Sequence, residues 1–316
     1  MTSPSQLAQA AERPVRAVRP RSGRRSPRHR RHGLIALLFL FPLLLFYGTY
    51  YIYSFVFLAR VSRQQVSLSF VDAVDVGWQN FRLVATDTLF QHAVINNLIF
   101  AAVSIAAALT IGFVAAMMLA TGVRLHRTLY VILLLPSLIP LSLFATIFGK
   151  MLGTQYGAFN GLLRGVGLSG LQQDWLGQSN TAYAAVAVLL IYLIGLPIMY
   201  YRSDIESVNL SLVEAAVLDG AGTWRVFRSL LFPLLRNTHK TVVLSVLLGS
   251  FRAFDVIFFS TNGAPSGQTS ITGTYIYNKT LAGTTVGYAS AAALLLLLIA
   301  FVISAVQLVL MRRESR

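Results

Sequence analysis

An all-α polytopic membrane protein, folded as one bundle of six transmembrane helices, is the class this sequence predicts. Three observations point there. Of 316 residues, 55% are hydrophobic and only 12% charged, against roughly a quarter charged in an ordinary soluble domain. Six stretches supply the about 20 mainly apolar residues that a helix needs to cross a bilayer: residues 34–59, 89–120, 128–149, 182–201, 238–260 and 285–311. Between them, Lys and Arg crowd into alternate connections, the bias expected of segments kept on the cytoplasmic side. The runs are too long and too uniformly apolar for the alternating ten-residue strands of an outer-membrane barrel.

Residues 1–33 form a basic tail with nine arginines, several prolines and almost no large apolar side chain. Such a composition cannot bury enough surface to fold, so a disordered cytoplasmic tail is expected. A net charge of +15 invites a nucleic-acid reading. Basic residues beside a first span, however, are what holds that end in the cytoplasm. Membrane lipids are then the expected contact, and no nucleic acid is required. The first apolar run exceeds a signal-peptide core, and no small-residue cleavage site follows it at Leu58-Ala59-Arg60-Val61, so it should remain as a helix. Counting along the chain, 19 of the 26 Lys and Arg fall in the tail, the 120s connection, the 201–240 segment and the tail at 312–316. Six crossings with both termini cytoplasmic satisfy that distribution. The chain has no cysteine, which removes disulfides and thiolate metal sites.

What the sequence lacks narrows its function. The phosphate-cradling GxxxxGK[ST] loop is absent: Gly149-Lys150 is followed by Met151 and has Phe144 where the first glycine belongs. Of 11 carboxylates only Asp255 approaches membrane depth, which does not suit a proton-driven carrier. His29, His32, His92, His126 and His239 are scattered, and no acid, base or metal-ligand constellation forms a motif. No catalytic residue, metal site or cofactor of its own is therefore expected. A pore-forming subunit that takes its energy from a partner remains.

The polar segment 205–236 between the fourth and fifth spans is the most informative part. Ser211 with Glu214 three residues on reads as a capping box that starts a helix near Leu212. Gly220 or Gly222 can end it in a left-handed turn, and Thr223 can cap a second short helix that Pro233 interrupts. Glu214-Ala215-Ala216, three residues, Gly220, nine residues, then Leu230-Leu231-Phe232-Pro233 closely resembles the EAA signature of permease subunits of binding-protein-dependent ABC importers. Asn96-Asn97-Leu98, Leu135-Pro136 to Pro140, Gly157 to Leu163 and Asp174-Trp175-Leu176 are similar to that family's carbohydrate branch, in the same order. So are Phe254-Asp255, Gly263-Ala264-Pro265, Tyr275-Ile276-Tyr277 and Gly287 to Ala291.

The resemblance implies a type I ABC importer bundle, with residues 34–311 as the permease domain, in a bacterial cytoplasmic membrane. It implies a second permease subunit in a heterodimer, two cytoplasmic ATPase subunits that use ATP and Mg, and an extracytoplasmic solute-binding protein. Glu214, Ala215, Ala216, Asp219 and Gly220 would form the helix that docks on the ATPase. The two alanines permit close approach, the carboxylates meet basic groups, and the glycine allows the turn. For a sugar pathway, Asn96, Asn97, Tyr192, Ser245, Phe251, Asp255 and Ser290 offer suitable amide, hydroxyl, carboxylate and aromatic groups. Tyr192 and Phe251 are residue types more often used in core packing. Arg252 and Asp255, three apart, read as an ion pair on one helix face or as substrate or gate contacts. The repeated glycines from Gly149 to Gly165 read as loop and short helix, and Pro42, Pro136, Pro140 and Pro197 as helix kinks. Import of a sugar or oligosaccharide is the resulting expectation. Another organic solute such as a glycerol phosphoester, or a membrane enzyme or scaffold acting on lipid-linked sugars, are the alternatives.

Overall fold

The computed structural model describes residues 27–121, 124–192, 194–281 and 286–313. Most of the basic tail and the last three residues lie outside them. Helix α1 spans Pro27–Val61 and so reaches back into the predicted tail. Proline is suited to a first helical position, and arginine is a good helix former. The chain divides into two compact units, residues 1–55 and 56–316. In the first, α1 presents bare apolar side chains such as Phe39, 79% exposed.

The second unit opens with an antiparallel hairpin, β1 (Gln64–Gln65) and β2 (Val74–Asp75), in which Gln64 faces Asp75. Helix α2 (Gln79–Thr86) follows, and the buried Asn80 amide donates to the carbonyls of Ser62 and Gln64, each at 2.9 Å. Helix α3 (Thr88–Ala107) runs through a π turn at Ala108–Gly112 into α4 (Phe113–Ala120). Helices α5 (His126–Leu138) and α6 (Leu141–Met151) meet at 101°. Pro140 is the cause, because proline pushes the residue before it out of the helical region, and Ile139 is extended at φ −82°, ψ 140°. A short α7 (Ala158–Gly165) occupies the glycine-rich connection, as the sequence suggested. Then come α8 (Ser179–Tyr192) and α9 (Gly195–Glu206).

The polar segment contains α10 (Leu210–Leu218), α11 (Thr223–Val226), a π turn at Phe227–Leu231 and α12 (Phe232–Leu234). Helix α13 (Arg236–Ser250) bends by 49° into α14 (Phe254–Ser260). After α15 (Thr272–Leu281), α16 (Val286–Arg313) closes the chain. Among the described residues four helices are long and apolar enough to cross a membrane, or up to six if each bent pair is one span. All six predicted stretches fall on these helices, two of them on the bent pairs.

Three clusters form the core. Phe113, Ile198, Tyr201 and Val242 join α4, α9 and α13; Phe100, Leu189, Val256 and Ile271 join α3, α8 and α14; Val84, Phe90, Tyr275 and Ala291 join α2, α3, α15 and α16. The hairpin seats on the start of α16, where Val286 donates its N–H to the Val66 carbonyl at 3.0 Å. A Cβ at Gly287 would overlap the Gln64 carbonyl oxygen, so only glycine permits this approach.

Two expectations need correction. The cap of α10 is Asn209, whose side chain accepts the Ser211 N–H at 3.1 Å, not Ser211; asparagine caps as well as serine does. Arg252 and Asp255 form no ion pair within 4.0 Å among the described residues. The helix breaks between Ser250 and Phe254, so the three-residue spacing no longer puts both side chains on one regular face.

Candidate functional site

The segment Leu210–Leu234 carries the first site. Helix α10 buries none of its residues. Leu210 is 72% exposed and Leu218 87%, and Val213, Glu214, Val217 and Leu218 line an open hollow. Glu214, Ala215 and Asp219 are exposed, Ala216 half-buried. Nine residues of helix with apolar and acidic side chains turned outward do not form a stable surface in isolation; such a patch marks an interaction site. Gly220 takes φ +80°, with open space around a Cβ position, and ends α10 as the sequence predicted. Helix α11 then starts at Thr223 with Gly222 as its cap residue and no side-chain bond there, one residue from the Thr223 cap expected.

The second site is a cavity of about 290 Å³ beside the break between α13 and α14. Ser104, Ser137, Ser245 and Ser250 supply its hydroxyls, and Pro197, Gly249, Ala253 and Val256 much of its apolar wall. Hydroxyls on a mostly apolar concave surface at a broken span suit a neutral polar solute in transit. Of the predicted pathway residues, Ser245 lies in this wall. Asn96 and Asn97 do not. Asn96 donates to the carbonyls of Gln268 at 2.6 Å and Ser270 at 2.8 Å and accepts the Tyr183 hydroxyl at 3.2 Å. Asn97 donates to the Ser250 carbonyl at 3.3 Å and accepts the Thr272 N–H at 2.9 Å, with the Thr272 hydroxyl on the same oxygen. Their amides fasten α3 to α13 and to the approach to α15. Phe251 and Asp255 are half-buried at the break, outside the lining, and Ser290 is buried on α16. The Tyr192 side chain lies outside the described residues. Sequence reasoning missed Ser104, Ser137 and Ser250, since serines inside apolar runs look alike until the helices are packed.

At the opposite end of the bundle from the segment, Asp87 caps α3 by accepting the Leu89 N–H at 2.8 Å. Its other oxygen accepts the hydroxyls of Tyr275 at 2.6 Å and Tyr288 at 2.9 Å, with the Lys279 ammonium at 3.5 Å. Burial alone would raise the Asp87 pKa, but these donors and the Lys279 charge outweigh it and hold the carboxyl below its usual range. Burial, followed by the bond to Asp87, pushes the Tyr275 phenol well above the usual tyrosine range. The clasp therefore fixes α3, α15 and α16 together.

Residues 108–316, which include the segment, both halves of the broken helix and the clasp tyrosines, match the family of binding-protein-dependent transport system inner membrane components. The chain belongs to this family. The permease is 30% identical over 283 residues to the probable ABC transporter permease protein YurN of Bacillus subtilis, covering 87% of this chain and 95% of that protein. It is 26% identical over 284 residues to the sulfoquinovosyl glycerol transport system permease protein SmoG of Agrobacterium fabrum, covering 89% and 92%. Its fold is similar to a chain in the crystal structure of a bacterial ABC transporter that imports the acidic polysaccharide alginate. That match has a TM-score of 0.78 at 21% identity and covers 91% of the permease and 98% of that chain. The protein is thus a multi-pass inner-membrane permease with the bundle of type I ABC importers.

Proposed function

We propose that this permease is one of two membrane subunits of an importer for a sugar or oligosaccharide, delivered by an extracytoplasmic binding protein and driven by separate ATPase subunits that dock on α10. The exposure of α10 carries the reading: Leu218, Val217, Glu214 and Asp219 face outward next to a glycine turn, inside the region that defines the family. Closure of two ATPases would push α10 and tilt the bundle between inward-open and outward-open states. The sugar assignment draws on SmoG and on the alginate transporter, and on a cavity whose polar groups are hydroxyls rather than charges.

The distribution of basic residues supports a cytoplasmic location for the segment and both termini. The hairpin, α7 and the Asp87 clasp then face outward, where a binding protein would dock. ATP and Mg would be used by the partner subunits alone. Co-purification tests the central claim: the ATPase should be retained by the native permease and released by Gly220→Asp, with membrane insertion unchanged. Retention of ATPase and normal uptake by Gly220→Asp would reduce the segment to an interfacial loop. Measuring which sugars the cognate binding protein retains tests the substrate class.

A further inference from the structure

We propose that His239 is a positioning residue that makes the ATPase-docking segment and the membrane bundle move as one body; this rests on the reading of α10 as the docking helix. His239 lies in the first turns of α13, and both ring nitrogens are engaged. Nε2 is 3.0 Å from the Phe232 carbonyl oxygen, which can only accept, so in the neutral ring Nε2 carries the proton. Nδ1, 2.8 Å from the Tyr201 hydroxyl, is then the acceptor, and Tyr201 donates to it. One nitrogen thus holds the last turn of the segment. The other holds α9 through a tyrosine with no exposed surface.

Aromatic packing gathers around this link. Phe113 has its ring centroid 5.0 Å from Tyr201, 5.2 Å from Phe227, 5.7 Å from Phe232 and 5.4 Å from His239. Phe227 stacks on Trp224 at 5.2 Å, and Trp224 is 69% exposed on the segment beside α10. A continuous set of rings therefore runs from the docking surface into the core. Both chain stretches that meet here contain a π turn, Ala108–Gly112 before Phe113 and Phe227–Leu231 before Phe232, a distortion frequent at functional sites.

A satisfied core histidine would also have two partners. What sets His239 apart is that its partners lie on different elements, α12 of the segment and α9. Dispersion between rings has no direction and tolerates sliding; two hydrogen bonds from one fixed tautomer do not. The neighbouring Thr238 hydroxyl donates to Asp204, tying α13 to α9 independently. Replacing His239 by Phe should therefore keep the bundle packed while removing the directional tie to the segment.

The absence of cysteine allows a clean test in the full importer, assembled with its second permease and ATPases in lipid nanodiscs. Spin labels on Leu212→Cys, on α10 but outside the hollow, and Met199→Cys, both exposed sites, report the distance between α10 and α9 without nucleotide and with ATP and vanadate. One unchanged, narrow distribution is expected in both states for the otherwise native chain. His239→Phe should broaden and shift it under ATP and vanadate, and His239→Gln, whose amide can donate and accept in place of the ring, should restore it. Adding Tyr201→Phe to His239→Phe should change nothing further, as two changes in one link are not additive. A native distance that changes between states overturns the proposal, and so does a His239→Phe distribution like the native one. Protection of Leu218→Cys from thiol reagents by the ATPase is read in parallel; its absence would overturn the docking reading itself, and the proposal with it.

Discussion

Gly220 shows how a single residue can separate folding from function. At φ +80° with nothing within 4 Å of a Cβ position, a side chain there meets a backbone cost on the order of 1 kcal/mol and no steric clash. Gly220→Ala should thus leave thermal stability almost unchanged, whereas Gly220→Asp should abolish ATPase retention in a pull-down. Gly287 is the opposite case: its Cβ would overlap backbone of the hairpin, and Gly287→Ala should lower the melting temperature and the yield of folded protein in detergent. At Asp87 the sign of the pH dependence follows from the shift. Its folded pKa lies below the ordinary carboxylate value, so its contribution is complete above that value and disappears as pH falls through the depressed one. Tyr275, shifted upward, keeps its proton beyond the ordinary tyrosine range, so the clasp also survives alkaline pH. Melting temperature should therefore be insensitive to this site between neutral pH and about pH 4. Asp87→Asn should cost about 1.5–3 kcal/mol at neutral pH, the worth of hydrogen bonds to a charged group, and should remove part of the acid limb in a thermal melt.

Among the elements, the broken helix α13–α14 is the one whose bend has a cavity beside it. Ser250 and Phe254 bracket the break, and the cavity opens beside it with Gly249 in its wall. A Cβ at Gly249 meets nothing within 4 Å, and leucine is a better helix former than glycine. Gly249→Leu should leave stability equal or higher and ATPase docking intact while filling the cavity. Uptake of radiolabelled sugar by cells should fall sharply, and normal uptake would remove the cavity from the pathway. The exposed α10 is the complementary element: it contributes no buried residue, so Leu218→Ser should not affect the bundle and should weaken ATPase binding in the same pull-down.

For the whole molecule, sidedness and energy supply are the testable properties. Reporter fusions after Arg124 and Asn237 should signal cytoplasm, and fusions after Asp75, Asp174 and Gly267 the outside; an outside signal at Asn237 would place the segment where no ATPase can reach it. The purified chain should hydrolyse no ATP in a phosphate-release assay, with activity appearing only on addition of the ATPase subunits. Such hydrolysis by the chain alone would require a nucleotide site other than the phosphate loop that its sequence lacks.

The sequence by itself determined the helical class, the six membrane-length runs, the asymmetry of charge and the family, because each is written in local features: apolar runs, basic residues between them, and one motif with fixed spacing. Gly220 was legible for the same reason, since a turn after a short helix is a local event. The tertiary structure decided whatever depends on residues far apart in the chain. It placed Asn96 and Asn97 outside the serine-lined cavity and gave them carbonyls and a threonine 172 to 175 residues away. It tied Asp87 to tyrosines 188 and 201 residues on, brought scattered serines to one cavity, and set His239 between Tyr201 and Phe232. Polar groups withdrawn from water must find partners wherever packing brings them, and the order of residues along a helix does not say which other helix will supply them.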